Sequence, residues 1–484
     1  MTTPIWDFVR RFTASGTARL HMPGHKGQPF LGCEPLDITE ISGTETLISD
    51  SEANAAALFG SARTVYAAGG SSQCVRAMVY LAVTELSRRR GSSAGNHGSR
   101  VSGRTRVPAE AAASQPRPVI AAARNAHKSL LYAAALCDAE IVWLWPEETG
   151  TAHRAAHSIA PYSLCACPVT AGQVSRTLEE LRRSGRQAAA VYVTSPDYLG
   201  GTQDIAALAE AAHRYGVPLL VDNAHGAYLK FLPESVPCGT AARYAHPLDL
   251  GADLCCDSAH KTLPVLTGGA YLHIAKTAPA SFSENAGTAM DLFGSTSPSW
   301  LALASLDLCN AYLSEGYPAK LRDTVRRLDA LRDRLRGNGW NVRDSDPLRL
   351  TLQGDSTAMR DRLHMGGVEW EYADRDYLVL MATPENPPAD LERIADALGT
   401  CASPAPPPPA LPLVRGKTVL TPREAVFAPH ETVPVEKAVG RICGAPTVSC
   451  PPAVPIAVSG ERIDRAAVEV FRYCGITSVD VVKP

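Results

Sequence analysis

Two short apolar runs constrain this chain most, because each ends abruptly in polar residues. Residues 217–221 lead into Asp222-Asn223-Ala224-His225, and residues 254–256 lead soon after into Ser258-Ala259-His260-Lys261. Short, continuously apolar runs indicate strands that are buried on both faces of a parallel sheet. In an open α/β sheet, ligands bind beyond the carboxyl ends of the strands. We therefore expect Asp222 and Lys261 to face one crevice.

An acid and a lysine at neighbouring strand ends are the groups that pyridoxal phosphate (PLP) requires. The aldehyde of this cofactor binds a lysine amine covalently, and its ring nitrogen needs a carboxylate to stay protonated. Lys261 is the candidate for the aldehyde and Asp222 for the ring nitrogen. Taken singly, each is more simply explained as a solvated lysine or a loop acid. With Ser258 and His260 as phosphate ligands beside the lysine, the cofactor site becomes the better interpretation.

A glycine-rich turn supplies further candidates for the phosphate. Residues 62–68 are typical of a strand, and they run through Gly69-Gly70-Ser71-Ser72 into a helix predicted over residues 75–86. Free backbone N–H groups and the helix dipole make such a turn an anion site. Alone, this turn is a plain strand-to-helix connection. Because a phosphate is already required, we expect Ser71 and Ser72 to bind it.

Two more predicted strands end in polar residues. Residues 119–123 precede His127, whose imidazole would stack on the cofactor ring, although a loop histidine facing water explains it equally well. Residues 188–193 precede Thr194-Ser195-Pro196-Asp197-Tyr198, which again places hydroxyls at a strand tip, and we include Ser195 among the cofactor ligands. Strands and helices alternate throughout. The pattern predicts an α/β fold with a mainly parallel sheet and helices on both faces.

Length and composition predict several domains. A chain of 484 residues has room for two to four. We expect an N-terminal arm (1–40), a large cofactor-binding domain (41–290), a small α+β domain (291–400), a proline-rich linker (401–412) and a C-terminal domain (413–484). Within the large domain, residues 88–118 are rich in Arg, Ser, Gly and Pro, so we expect an exposed, mobile insertion.

Charge and cysteine content exclude several classes of partner. A net charge of −2 gives no electrostatic reason to expect nucleic acid or an anionic membrane. We find no apolar run of about 18 residues and no apolar middle of a signal peptide, so we expect a cytoplasmic protein. The 13 cysteines are scattered, which is typical of reduced thiols. Cys165 and Cys167 lack a second ligand pair, so no metal is predicted.

Longer motifs carry a family resemblance. The chain resembles the ornithine/lysine/arginine decarboxylases, which are PLP enzymes of aspartate-aminotransferase-like fold (fold type I), and it is similar to their shorter members. The matching stretches are His21-Met-Pro-Gly-His-Lys-Gly27, Asp37-Ile-Thr-Glu40, Gly69-Gly-Ser-Ser72, Arg124-Asn-Ala-His-Lys-Ser129, Thr194-Ser-Pro-Asp-Tyr-Leu-Gly200, Asp222-Asn-Ala-His-Gly-Ala227, Ser258-Ala-His-Lys-Thr-Leu-Pro264, Ser295-Thr-Ser-Pro-Ser299, Ala438-Val-Gly-Arg-Ile442, Pro451-Pro-Ala-Val-Pro455 and Gly460-Glu461.

The resemblance implies roles for individual residues. Lys261 would carry the cofactor, Asp222 would hold its ring nitrogen, His127 would stack on the ring and His225 would lie near the ring hydroxyl. The phosphate would be bound by Ser71, Ser72, Ser258 and His260. It also implies a homodimer, or a higher homo-oligomer, whose active site is shared between subunits, with Thr296 and Ser297 reaching across.

The reaction implied is decarboxylation of a basic amino acid to the corresponding polyamine-type amine and carbon dioxide. We rank arginine first, lysine second and ornithine third, because short members of the family are often arginine decarboxylases and a guanidinium suits a bidentate carboxylate. The candidate acids for the distal cation are Glu45, Asp197, Glu371 and Glu461, each of which a surface position explains more simply.

Departures from the family pattern concern the substrate and leave the cofactor assignment intact. They include Asn223 where the family usually has Glu, Asp197 where it has an uncharged residue, Ala453 where it has Gly, and Thr44-Glu45-Thr46 where it has an acidic pair. Three alternatives therefore stay open. They are another PLP reaction such as transamination, decarboxylation of a non-basic amino acid, and a catalytically silent paralogue with a binding role, against which intact Lys261 and Asp222 argue.

Overall fold

The structure is a computed structural model that describes residues 14–20, 26, 46–95, 116–146, 167–232, 244–401, 413–449 and 454–484. The strands are β1 (Ala18–Leu20), β2 (Arg63–Ala67), β3 (Val119–Ala123), β4 (Glu140–Leu144), β5 (Ala188–Thr194), β6 (Leu219–Asp222), β7 (Leu254–Asp257), β8 (Ala270–Ile274), β9 (Asn341–Arg343), β10 (Arg349–Gln353), β11 (Val368–Trp370), β12 (Tyr372–Ala373), β13 (Tyr377–Met381), β14 (Lys417–Thr418), β15 (His430–Pro434), β16 (Thr447–Ser449), β17 (Pro455–Val458), β18 (Glu461–Arg462) and β19 (Ser478–Val482).

The α-helices are α1 (Leu47–Phe59), α2 (Ser71–Gly95), α3 (Lys128–Leu136), α4 (Ala171–Arg183), α5 (Ile205–His213), α6 (Ala259–Thr262), α7 (Ala280–Phe293), α8 (Trp300–Ser314), α9 (Tyr317–Gly337), α10 (Ser356–Met365), α11 (Pro388–Leu398), α12 (Pro422–Phe427) and α13 (Arg465–Tyr473). Short 3-10 helices cover Ala227–Phe231, Pro247–Leu250 and Val435–Lys437. In the part of the chain with described coordinates, no helix is both long enough and apolar enough to cross a bilayer.

A seven-stranded sheet of order β2-β8-β7-β6-β5-β3-β4 forms the centre of the large domain. Strand β8 runs antiparallel to β2 and β7, and the remaining neighbours are parallel. Successive side chains of a strand point to opposite faces, so Leu220 packs with α2, α3 and α7 while Leu219 and Val221 pack with α4 and α5. The predicted mainly parallel sheet with helices on both faces is confirmed.

Two smaller units pack beside this sheet. The first is a four-stranded antiparallel sheet of order β12-β13-β10-β9 with helices α9, α10 and α11, to which β1 is joined through a parallel pair with β11. The second comprises the strand pairs β14–β18, β15–β19 and β16–β17 with helices α12 and α13. Phe471 and Ile456 of the second unit share a core with Val191 of the large domain. Most of the predicted N-terminal arm and of the linker lies outside the described residues, and the domain boundaries stay a prediction.

The predicted insertion at residues 88–118 needs correction at its start. Helix α2 continues to Gly95, so residues 88–95 are helical. Glu85 is buried and accepts hydrogen bonds from Arg88 and Arg89 one turn later, and from Ser281 of α7. Composition alone missed these i,i+3 and i,i+4 pairs, which support a helix without apolar periodicity. Residues 96–115 lie outside the described residues.

We expect Glu85→Gln to lower the melting temperature. The Arg88 hydrogen bond lowers the pKa of Glu85 from 4.5 to about 2, so its contribution is complete above pH 4.5 and is lost as the pH falls through about 2. The loss is about 1 kcal/mol, because both arginine side chains are largely exposed. Thermal unfolding at pH 7 measures the loss and thermal unfolding at pH values down to 2 should show it disappear, with the exposed Glu284→Gln as a charge-matched control. Equal melting temperatures for the two variants would contradict this role.

Candidate active site

The carboxyl ends of β2, β3, β5, β6 and β7 meet around a cavity of about 630 Å³. The loop or helix that follows each strand lines it. The predicted site residues found on its wall are Ser71, Ser72, His127, Asp222, His225, Ser258, His260 and Lys261. The structure therefore brings together, from four separate segments, most of the residues that the strand-end argument selected.

Lys261 lies on the short helix α6, and its Nζ is 3.0 Å from His225 Nε2. Burial lowers the pKa of Lys261, and the nearby carboxylates of Asp222 and Glu371 partly oppose that effect. Burial also places the pKa of His225 well below its ordinary value. The lysine therefore faces a neutral imidazole, and its lowered pKa increases the fraction of free amine, which is the nucleophilic form.

Asp222 is held rigidly at the end of β6. Its Oδ2 accepts a hydrogen bond of 2.9 Å from Tyr192 and its Oδ1 one of 3.2 Å from the backbone N–H of Ala224. Burial raises the pKa of Tyr192 well above its usual range, so the phenol remains a donor. Asp222 is only 3% exposed and lines the cavity. The sequence did not predict that Tyr192 contacts Asp222, because Tyr192 lies within the apolar run of β5 and looks like a core residue.

The N-terminus of α2 forms a candidate phosphate cradle. Ser258 donates a hydrogen bond of 2.7 Å to Ser71, and Ser129 donates one of 2.9 Å to Ser72. Gly70 precedes the helix with a φ of 72°, a conformation that glycine adopts without strain. Free N–H groups at the start of a 25-residue helix favour an anion. His260 stands on the same wall, where its Nδ1 donates to the carbonyl of Gly269.

His127 occupies the loop between β3 and α3 and caps that helix. Its Nδ1 is 2.8 Å from the hydroxyl of Ser129 and accepts a hydrogen bond from the Ser129 backbone. The ring is accessible from the cavity, yet the surrounding protein atoms lower the pKa of His127, with Asp222 opposing the effect. A neutral, fixed imidazole on the cavity wall is suited to packing against an aromatic ring.

Buried polar atoms without partners test whether the cavity suits PLP. Within the described part of the chain, Asn125 Nδ2 and Oδ1, Thr194 Oγ1 and His225 Nδ1 are buried without a hydrogen-bond partner. Buried polar groups are nearly always satisfied, so these residues of the cavity wall indicate a polar ligand. Together with an acid, a lysine and an anion cradle, this set of donors and acceptors fits PLP.

Two predicted site residues lie elsewhere. Ser195 does not line the cavity, because its hydroxyl accepts a hydrogen bond of 3.1 Å from the backbone of Gln203. Side chains alternate along β5, so the preceding residue, Thr194, faces the cavity instead. Thr296 is exposed in the turn between α7 and α8 and is not on this chain's cavity wall. Its predicted contact with a second subunit stays a prediction.

The four candidate acids for the substrate have different surroundings. Asp197 lines the cavity, is 4% exposed, and accepts hydrogen bonds from the backbone N–H groups of Leu199 and Gly201. Burial raises the pKa of Asp197 to about 7. Glu371 is half-buried and accepts a hydrogen bond of 2.5 Å from Tyr198. Glu461 is not a surface acid, because it is 1% exposed and paired with Arg124. Glu45 lies outside the described residues.

The small domain holds the loop that carries Asp197. Arg349 of β10 donates to the carbonyl groups of Asp197 and Tyr198, and Thr351 donates to that of Leu199. The backbone N–H of Asp346 donates to the carbonyl of Gly200 over 2.9 Å. The position of Asp197 therefore depends on how the small domain packs against the large one.

The C-terminal domain completes the cavity. Thr447 and Pro455 lie on the wall, and a buried ion pair fixes this domain beside them. Arg124 donates two hydrogen bonds of 2.7 and 2.8 Å to Glu461, and its guanidinium lies 4.7 Å from the ring centroid of Trp143. Arg124 directly precedes Asn125 and lies close to His127. The Arg124–Glu461 ion pair, which we call the clasp, therefore connects the C-terminal domain to the loop that lines the cavity. Sequence reasoning did not identify Thr447.

The sheet, the cavity and the lysine–carboxylate arrangement define a PLP-dependent enzyme of fold type I. The family model "Orn/Lys/Arg decarboxylase, major domain" matches residues 3–357, and the model of its C-terminal domain matches residues 413–479. The chain therefore belongs to the Orn/Lys/Arg decarboxylase family. It is a PLP-dependent decarboxylase that acts on a basic amino acid.

The chain is also similar to the following three proteins. An uncharacterized Bacillus subtilis protein, YaaO, is 27% identical over 97% of this chain and 93% of its own length. A B. subtilis arginine decarboxylase is 24% identical over 95% of this chain and 91% of its own length. The Francisella novicida lysine decarboxylase LdcF has the same fold, with a TM-score of 0.66, 15% identity, and coverage of 90% of this chain and 72% of that one.

We expect Lys261→Ala to lose covalent attachment of the cofactor. Its lowered pKa and its position beside His225 select this amine. Purified protein incubated with PLP and reduced with borohydride is analysed by peptide mass spectrometry. Wild type and the exposed-lysine control Lys276→Ala should carry the cofactor on the peptide that contains Lys261. Modification of the Lys261→Ala variant at another single lysine would refute the assignment.

We expect Glu461→Gln to destabilise the protein by about 3–5 kcal/mol, because it leaves the charge of Arg124 buried without a counter-ion. The double variant Arg124→Met/Glu461→Leu removes both charges and should recover most of the lost stability. Chemical unfolding followed by tryptophan fluorescence measures the difference, because Trp143 and Trp145 lie against Arg124. A single variant as stable as wild type would show that the clasp does not hold the C-terminal domain.

Proposed function

We propose that the protein decarboxylates arginine to agmatine, with lysine and then ornithine as the less favoured substrates. The observation that carries the proposal is Asp197. Among the described residues that line the cavity, the carboxylates are Asp222 and Asp197, and Asp222 is assigned to the cofactor. A planar guanidinium can pair with a carboxylate through two parallel hydrogen bonds, which an ammonium cannot do. The arginine decarboxylase among the relatives agrees with this order.

The proposed division of labour follows from the contacts of each side chain. PLP, when bound, supplies the electron sink that accepts the electron pair left when carbon dioxide departs. Lys261 anchors the cofactor, and Asp222 keeps a proton on its ring nitrogen, since Tyr192 and the Ala224 N–H fix the carboxylate. The Lys261–His225 pair, at 3.0 Å, holds the proton that returns to the substrate Cα. Ser71, Ser72, Ser258 and His260 bind the phosphate.

Burial determines when Asp197 can receive a cation. A carboxyl group with a pKa of about 7 is protonated in acidic solution and ionised in alkaline solution. The backbone N–H groups of Leu199 and Gly201 favour the ionised form, and a bound substrate cation would favour it further. Recognition of the distal charge by Asp197 is therefore strongest above neutral pH.

The proposal includes the assembly and the compartment. We propose a homodimer in which the turn carrying Thr296 and Ser297, exposed in the single chain, reaches the partner's cavity. We also propose a reducing, cytoplasmic location, because the cysteines within the described residues are free thiols. Light scattering would establish the subunit number. A mixture of Lys261→Ala and Thr296→Arg subunits should regain activity if each site uses both chains.

The substrate order is tested by product analysis. Purified enzyme with PLP is incubated separately with arginine, lysine and ornithine, and each product is identified by mass spectrometry. We expect agmatine to form fastest. Asp197→Asn should raise the KM for arginine about 100-fold, the effect of removing a charged partner worth about 3 kcal/mol, while leaving the cofactor absorbance unchanged. Cadaverine or putrescine without agmatine would overturn the order, and an oxo acid in place of an amine would indicate transamination.

The pH profile tests Asp197 separately. We expect kcat/KM for arginine to fall about tenfold per pH unit below pH 7, since this parameter reports groups of the free enzyme and Asp197 has a pKa of about 7. The Asp197→Asn variant should lack that limb, because its side chain does not ionise. Parallel profiles for wild type and variant would show that another group produces the acid limb.

A further inference from the structure

A fully buried polar cluster lies directly behind the cofactor site. At its centre is Asp257, the last residue of β7. Its Oδ1 accepts a hydrogen bond of 2.7 Å from the Asn223 side chain. Its Oδ2 accepts from His246 Nε2 at 3.0 Å and lies 3.3 Å from His273 Nε2. All four side chains are inaccessible to solvent, and no step of the proposed reaction uses them.

The Asn223–Asp257 bond joins the two strand ends that carry the catalytic residues. Asn223 directly follows Asp222, and Asp257 directly precedes Ser258 and the helix of Lys261. The backbone ladder between β6 and β7 includes the pair Asp222–Cys256, and the Asn223 N–H donates to the Cys256 carbonyl over 3.0 Å. The side-chain bond extends this connection one residue further, where the two chains turn away into separate loops.

The orientation of the Asn223 side chain is fixed on its other side by Gly226. A Cβ atom on Gly226 would lie 2.0 Å from Asn223 Oδ1, so a larger residue there would displace the amide. The close approach leaves the amide nitrogen directed at Asp257. The Asn223 side chain is therefore held in place between Gly226 and the Asp257 carboxylate. A surface loop residue would not be held on both sides in this way.

The hydrogen-bond donors around Asp257 determine which groups of the cluster are charged. The imidazoles hold the pKa of Asp257 well below its usual range against the opposing effect of burial, so it is a carboxylate. Leu248 donates its backbone N–H to His246 Nδ1, which leaves the proton on Nε2 facing Asp257. His246, Cys255 and Asp257 lie close enough together to hold a metal. A metal on His246 Nε2 would require that proton to be absent, so hydrogen bonds account for the cluster better.

We infer that Asn223 and Asp257 are positioning residues that set the separation of Asp222 from Lys261. The inference rests on the cofactor-binding roles proposed above for Asp222 and Lys261. A ring nitrogen and an aldehyde occupy fixed places on one rigid pyridine ring, so the carboxylate and the amine that hold them must keep a fixed separation. Asp222 and Lys261 lie on different strands, and the Asn223–Asp257 bond ties those strands at their ends.

The isosteric exchange Asn223→Asp/Asp257→Asn tests the inference directly. The carboxylate then lies at position 223 and the amide at position 257, where the amide nitrogen donates to that carboxylate and the amide oxygen still accepts from the imidazoles. The bond between the two side chains is kept with its direction reversed, and the bonds from the imidazoles are kept unchanged. The weaker hydrogen bond of 3.5 Å from Cys255 Sγ to position 257 is lost. The single variant Asn223→Asp instead places two carboxylates 2.7 Å apart. Gly226→Ala displaces the Asn223 amide without changing any charge.

In wild type and in each variant, PLP affinity is measured by titrating apoprotein, and the visible absorbance of the loaded protein, the melting temperature, kcat and KM are recorded. We expect Asn223→Asp and Gly226→Ala to lower kcat about 100-fold, which is the effect of displacing Asp222 relative to Lys261 by about 1 Å. The KM should change little, and the cofactor absorbance should shift. The exchange variant should restore kcat, PLP affinity and absorbance. Adding Asp257→Asn to Gly226→Ala should not restore them.

Three outcomes would overturn the inference. A purely structural role would lower melting temperatures while kcat and the absorbance of folded, loaded protein stayed at wild-type values. An exchange variant that folds and binds PLP but remains as impaired as Asn223→Asp would show that the bond does not set the geometry. Stoichiometric metal in wild type, lost in Asp257→Asn, would replace the hydrogen-bonded cluster with a metal site. Wild-type protein that fails to attach PLP to Lys261 would instead refute the proposed function.

Discussion

The parallel pairing of β5, β6 and β7 is the constraint on which the rest of the site depends. Its register places Thr194 opposite Asp222, and Asp222 opposite Cys256, so the three strands end at one level. Parallel strands deliver whatever follows them to the same edge of the sheet. Residues distant in sequence, such as Asp222 and Lys261, therefore meet without any long-range signal in either segment. The cavity is a consequence of aligned strand ends.

Three buried or partly buried carboxylates then join other elements to this edge. Glu461 ties the C-terminal domain to Arg124, Glu85 ties the long helix to α7, and Asp257 ties β7 to Asn223. Each accepts at least two hydrogen bonds, which offsets the cost of burying its charge. Acids in these positions act as connectors. Acidic residues in the sequence therefore cannot be divided into catalytic and surface groups by their type alone.

The sequence predicted the elements better than the directions of side chains. Apolar runs located the strands, and the polar residues after them selected Lys261, Asp222, Ser71 and Ser72, which the structure brings to one cavity wall. Ser195 was selected as a cofactor ligand, but the structure places Thr194, the last paired residue of β5, on the cavity wall in its stead, because side chains alternate along a strand. The helix over residues 88–95 was missed because ion pairs carry no apolar signal. Thr447 and Tyr192 depend on tertiary packing, which local patterns do not encode.

The two cavity carboxylates differ in how they are held, and that difference suits two tasks. Asp222 accepts from Tyr192 and from a backbone N–H, a fixed arrangement that suits a permanent partner of the cofactor. Asp197 has a pKa raised to about 7, so a small change in nearby charge alters its protonation. If Asp197 receives the distal cation, as we propose, substrate binding below pH 7 must release a proton from it. A neutral amino acid would leave that proton in place, so the same group that binds a basic substrate also discriminates against uncharged ones.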